Sequence, residues 1–153
     1  MTSDIVREGK AAWSRVKQGG GTWEDWKAVG YALLEGRATA ARYARPRRVG
    51  GHGYWPAFNG WLSDNRLNVP PTDRARLFRV MEMLPAIEAW RETLPPIRRL
   101  RMNHPSAVLE NYSKATGVKS APEASGHRQR HQEHGDEGQR FSHKPIRLRQ
   151  GVD

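Results

Sequence analysis

The sequence predicts an all-α fold: a compact bundle of about five or six short helices over residues 1–117, followed by a disordered tail over 118–153. Three observations carry this expectation. Up to Gly117 the apolar residues recur at spacings of three and four, the period of a helix face. No run of alternating β-branched residues suggests a strand. Beyond Gly117 the pattern stops, leaving Phe141 as the one aromatic residue among Gly, His, Gln, Arg, Glu and Ser. Such a segment buries too little apolar area to offset the entropy of ordering it.

The elements follow in chain order. Ser3 or Thr2 can cap a first helix reaching about Lys17, with Ile5, Gly9, Ala12, Trp13 and Val16 as a narrow apolar face. Gly19, Gly20 and Gly21 end it. Thr22 then caps the longest helical run, to Ala44, with Asp25 placed as in a capping box. Trp26, Val29, Gly30, Leu33, Arg37, Ala40, Ala41 and Ala44 fall on one stripe of that run, opposite Glu24, Tyr31, Glu35 and Arg42. Its front should anchor the core, and its small-residue back should admit a close neighbour. Arg45–Pro46 stops it.

A loop, RPRRVGGHG, leads to a helix near Trp55–Pro56 with Phe58, Trp61 and Leu62 inward. Asp64–Asn65 begins a polar break. Pro70–Pro71–Thr72–Asp73 signals the next start, with Thr72 as the cap. Leu77, Val80, Met81 and Leu84 form its stripe, Pro85 breaks or kinks it, and Ile87, Trp90 and Leu94 continue the spacing. Pro95–Pro96 stops the chain again before a short turn through Ile97 and Leu100. Asn103 or His104 can cap a last helix carrying Val108, Leu109 and Tyr112, with Gly117 at its end.

At 153 residues the chain is sized for one domain and a tail, and its mean hydropathy of −0.84 is low because the tail is polar. Net charge is +10, and the excess sits in the helical part, with 19 Lys and Arg against 11 Asp and Glu up to Gly117. A basic folded surface points to an acidic partner, DNA or RNA first. Cysteine is absent, which removes disulfide frameworks and thiolate metal sites. No signal-like apolar run opens the chain and none is long enough to span a bilayer, so the expectation is a cytoplasmic protein with no membrane partner.

The residues that could carry function are arginines. Arg42, Arg45, Arg47 and Arg48 cluster at a helix end and in a glycine-rich loop, with Tyr43, His52, Tyr54 and Trp55 near enough to stack on bases. Arg98, Arg99 and Arg101 form a second basic set, and the sequence leaves open whether both share a surface. The plain alternative is a solvated loop whose arginines answer a helix dipole. Arg37 stands apart, because its stripe position points inward and calls for a carboxylate or carbonyl partner, Glu82, Glu88 or Glu110 among the carboxylates. The six tryptophans read as core, with Trp23 and Trp55, at helix starts, each expected to keep an exposed edge.

His127, His131 and His134 have helical spacing but no scaffold to orient them, so no metal site is expected. No nucleophile–base pattern, phosphate-cradling glycine loop or zinc spacing occurs, and neither catalysis nor a cofactor is expected.

The order WEDWKAVGYALLEGR, FNGWL, RARLFRV, PAIEAW and RMNHPSAVLENYSKAT, over about residues 20–116, resembles small helical proteins of phages, plasmids and bacterial mobile elements. That resemblance implies a bacterial cytoplasmic setting and a role on DNA or with a host partner, and it transfers no functional residue. The expected function is a nucleic-acid-binding or regulatory accessory protein that contacts phosphates through the arginine-rich loop. The alternative is a protein-interaction module acting on a host or phage protein.

Overall fold

The chain order is written largely in hydrogen bonds between near neighbours. In the computed structural model, which describes residues 3–118, helix α1 (Asp4–Lys17) is capped by Ser3, whose hydroxyl accepts from the Val6 amide. It ends where Gly19 turns left-handed at φ 82°. The Gly20 amide then reaches back to the Arg15 carbonyl and the Gly19 amide to that of Val16, a Schellman closure that satisfies two otherwise orphaned carbonyls. Helix α2 (Trp23–Tyr43) opens on the full capping box: the Asp25 amide donates to the Thr22 hydroxyl, and the Thr22 amide to the Asp25 carboxylate.

Asp25 also ties α2 to α1, accepting from the Arg15 guanidinium at 2.6 and 2.8 Å. Burial alone would raise the Asp25 carboxyl. The bonds from Arg15 and Thr22 outweigh it and hold the group below its ordinary value.

The remaining helices are α3 (Tyr54–Asp64), α4 (Pro71–Glu82), α5 (Leu84–Glu92), α6 (Pro96–Arg101) and α7 (Pro105–Thr116). The fold is all-α, with no strand among the described residues. The described residues form seven helices rather than five or six, because the run with Pro85 divides at Met83 and the turn at Ile97 closes into α6. Pro70, not Thr72, occupies the cap position of α4, and Thr72 lies inside the first turn. His104 caps α7 through its ring Nδ1, which accepts from the Ser106 amide. The expected disorder of 118–153 and the histidines at 127, 131 and 134 lie, Val118 apart, outside the described residues.

Helix α2 is the centre of the bundle, flanked by α1, α3 and α4, while α7 packs on α4. Because three helices surround α2, burial extends beyond one stripe: Trp23, Asp25, Ala32 and Gly36 are buried as well as Trp26, Val29, Gly30, Leu33 and Ala40. On α1 the buried residue near the start is Val6, and Ile5 faces out, one position from the face the spacing suggested. Leu67 and Val69, in the connection expected to be polar, are fully buried. Trp23 corrects a further expectation. Its ring is buried, and its indole N–H donates to Glu88 at 2.6 Å.

Gly36 shows how closely the helices approach. A methyl group there would collide with the six-membered ring of Trp61 on α3. Gly36→Ala should therefore lower stability by about 1–3 kcal/mol despite its better helix propensity. Gly60, helical on exposed α3 surface with open space where a methyl would go, is the matched control. Gly60→Ala should raise stability by about 0.5–1 kcal/mol, and urea unfolding of the two variants reads both signs.

Candidate nucleic-acid interface

Helix α2 ends because Ala44, itself buried, turns extended ahead of the cis Arg45–Pro46 bond. Arg45 and His52 then exchange two backbone hydrogen bonds, each 2.9 Å, and close the loop between them. Inside it the Arg48 amide donates to the Pro46 carbonyl at 2.7 Å and the Gly51 amide to Arg48 at 3.1 Å. The backbone groups bond inward, leaving the side chains to project. Gly53, left-handed at φ 82°, lets the chain re-enter a helix directly as α3.

Arg42, Arg45, Arg47 and Arg48 are all exposed. None of the four pairs with a carboxylate among the described residues, and the Arg45 guanidinium bonds only its neighbour's carbonyl, Ala44, at 3.2 Å. Some arginines elsewhere do pair, Arg7 with Asp4, Arg15 with Asp25, Arg79 with Glu82 and Arg99 with Glu92, while Arg66, Arg98 and Arg101, like the loop four, meet no carboxylate among the described residues. For the loop four the reason is compositional, since no Asp or Glu occurs between Glu35 and Asp64.

Two aromatic side chains flank the loop at the surface. Tyr43, the last residue of α2, is 71 % exposed, and Trp55, in the first turn of α3, is 57 % exposed. His52 is exposed beside them. Tyr54 is not available for stacking on a ligand: it is buried and lies parallel to Phe58 at 5.7 Å between centroids. Burial pushes its phenol above the ordinary range, and the nearby Arg37 and Arg74 guanidiniums pull the other way.

Those two arginines add positive charge to the same end of the molecule. Arg37 is half-buried and lies 4.4 Å over the Phe78 ring, so an aromatic face takes the place of the carboxylate or carbonyl expected for it. The three carboxylates that could have served are engaged elsewhere, Glu82 by Arg79, Glu88 by Lys27 and Trp23, and Glu110 by Lys114. Arg74, on α4 beside Phe58, is a contributor the sequence reading missed. Its only signal was an arginine three residues before the core residue Leu77, which is too common to single out.

The second arginine set lies at the other end of α2. Arg91 of α5 is buried, stacks 4.4 Å over Trp23 at the start of α2, and holds α6 by donating to the carbonyls of Met102 at 2.6 Å and Arg99 at 3.4 Å. Burial lowers its guanidinium pKa. Trp23 and Arg42 are 19 residues apart on one helix, about 28 Å at 1.5 Å per residue. The two sets therefore form separate patches. Within the second, Arg99 is half-buried against Glu92, while Arg98 and Arg101 are exposed.

Helix α6 also presents Ile97 and Leu100, 62 % and 74 % exposed and three residues apart, beside a cleft of about 380 Å3 bordered by Trp23, Glu88, Arg91 and Pro96. Among the described residues no three His, Asp or Glu side chains gather as a metal site would need, and no helix is long and apolar enough to cross a membrane. Comparison with known proteins gives no match: no family model fits the sequence, and no curated protein or solved structure is significantly similar to it.

Proposed function

We propose that the chain is a nucleic-acid-binding accessory protein that holds phosphates with Arg42, Arg45, Arg47 and Arg48 at the end of α2. One observation carries the reading: four exposed guanidiniums are gathered on a closed loop and a helix end, with no carboxylate among the described residues to neutralise them. Like charges so gathered repel one another, and a polyanion relieves that repulsion while releasing its own condensed counterions. The mobile-element setting implied by the sequence resemblance would place the protein among such polyanions. No catalytic step belongs to this reading.

The test is an anisotropy titration against a short labelled oligonucleotide over a range of salt. Four phosphate contacts predict a log–log slope of about −3.6 on duplex and about −2.8 on a single strand. Absence of binding at low salt removes the proposal.

A second reading, a protein-interaction module, is favoured by α6. That helix buries no residue of its own and displays Ile97 and Leu100. Under it, Ile97→Glu with Leu100→Glu abolishes co-purification of a protein partner and leaves the oligonucleotide titration unchanged. Replacing the loop arginines gives the reverse pattern.

A further inference from the structure

We infer that the nucleic acid taken by this loop is single-stranded, with unpaired bases stacking on Trp55 and Tyr43 while the arginines hold the backbone. The inference rests on the phosphate-binding reading above and names its substrate class.

Trp13, Trp23 and Trp26 are 5–6 % exposed, as expected of the largest apolar side chain in a small core, whereas Trp55 keeps 57 % of its surface open. Its neighbour Tyr54 has the same position relative to the loop but turns fully inward.

Trp55 stands edge-on to Tyr54, with centroids 5.0 Å apart, and Tyr54 is itself stacked on Phe58 in the core. An open ring braced on a buried one loses little freedom when a base covers it.

Tyr43 lies two residues before Arg45 and Trp55 three after His52, so the backbone bridge between Arg45 and His52 brings both aromatics to the base of the arginine loop. Phosphate donors interleaved with stacking platforms are the arrangement a flexible, unpaired strand can satisfy at every nucleotide.

Duplex fits less well. Its bases are already stacked on one another, so it would use the arginines and leave both aromatics exposed. Reading its major groove takes an α-helix or two-stranded ribbon laid along the groove. Here three of the four arginines sit on a tight loop and only Arg42 on a helix. The stacking chemistry is shared by RNA and single-stranded DNA.

The experiment uses the full chain with labelled oligo(dT) and oligo(U) of about 15 nucleotides, and a duplex of equal length, at one salt concentration. At least one single strand should bind about tenfold or more tightly than the duplex, and its binding should quench tryptophan emission. Adding oligo(dU), which differs from oligo(U) only in the 2′-hydroxyl, shows whether the site prefers the deoxyribose or the ribose backbone. Trp55→Ala should weaken single-strand binding by about 5- to 150-fold, leave duplex binding unchanged and remove most of the quenching, and Trp55→Phe should restore most of the affinity. Because Trp55 is exposed, circular dichroism should show both variants folded.

Duplex binding as tight as the single strands, or Trp55→Ala binding single strands like the parent, overturns the inference. If in that case the loop arginines are still needed, the phosphate-binding reading survives it. No binding to any probe overturns both.

Discussion

Leu33→Ala should lower the unfolding free energy by about 2–5 kcal/mol, read from the midpoint of a urea transition at unchanged slope. Leu33 is fully buried on α2, the helix that α1, α3 and α4 flank. The cost of such a truncation depends on whether the walls can collapse into the space. Here they are already in contact beside it. A methyl group on Gly9 of α1 would collide with Ala32, and one on Gly36 would collide with Trp61. The helices cannot move inward without those contacts clashing, so the cavity stays and the upper half of the range is expected. Leu34, one residue on and 37 % exposed, is the control, and its truncation should cost under about 1 kcal/mol. Equal effects at the two positions would mean that α2 does not sit at the centre of the core.

Replacing Arg45, Arg47 and Arg48 together by Ala should reduce oligonucleotide affinity about 100-fold at 0.1 M salt and flatten the log–log salt slope by about 2 to 3. Stability should stay within about 0.5 kcal/mol, because all three side chains are exposed and none forms an ion pair among the described residues. The informative comparison is a second triple variant, Arg7, Arg79 and Arg99 to Ala, which removes the same number of positive charges from side chains already paired with Asp4, Glu82 and Glu92. It should lose much less affinity. Equal losses would place the interaction in net charge rather than in the loop.

Much of the fold was legible because much of it is local. The capping box at Thr22 and Asp25, the Schellman closure at Gly19, the stop at Arg45–Pro46 and the C-terminal glycine of α7 each depend on residues within five positions of one another. The exposed face of α2, Glu24, Tyr31, Glu35 and Arg42, was legible from helical period alone. Periodicity did less well where packing was crowded. It took Ile5 for Val6 on α1, and it limited the buried surface of α2 to one stripe when helices approach it from several sides. It also passed over Leu67 and Val69, since two apolar residues in a loop have no period to detect.

The candidate site divides the same way. That Arg42, Arg45, Arg47 and Arg48 form an acid-free cluster is a fact of composition, and the sequence by itself determined it, along with the helix boundaries that place the cluster at the end of α2. Tertiary structure decided the rest. It turned Tyr54 and Trp23 inward and Trp55 outward, gave Arg37 the face of Phe78, and used Arg91 to hold α6 at the far end of α2 from the loop. The physical reason is range. Caps, turns and stops are settled by hydrogen bonds and backbone torsions among near neighbours, whereas the partner of a side chain and the distance between two patches depend on which helices meet.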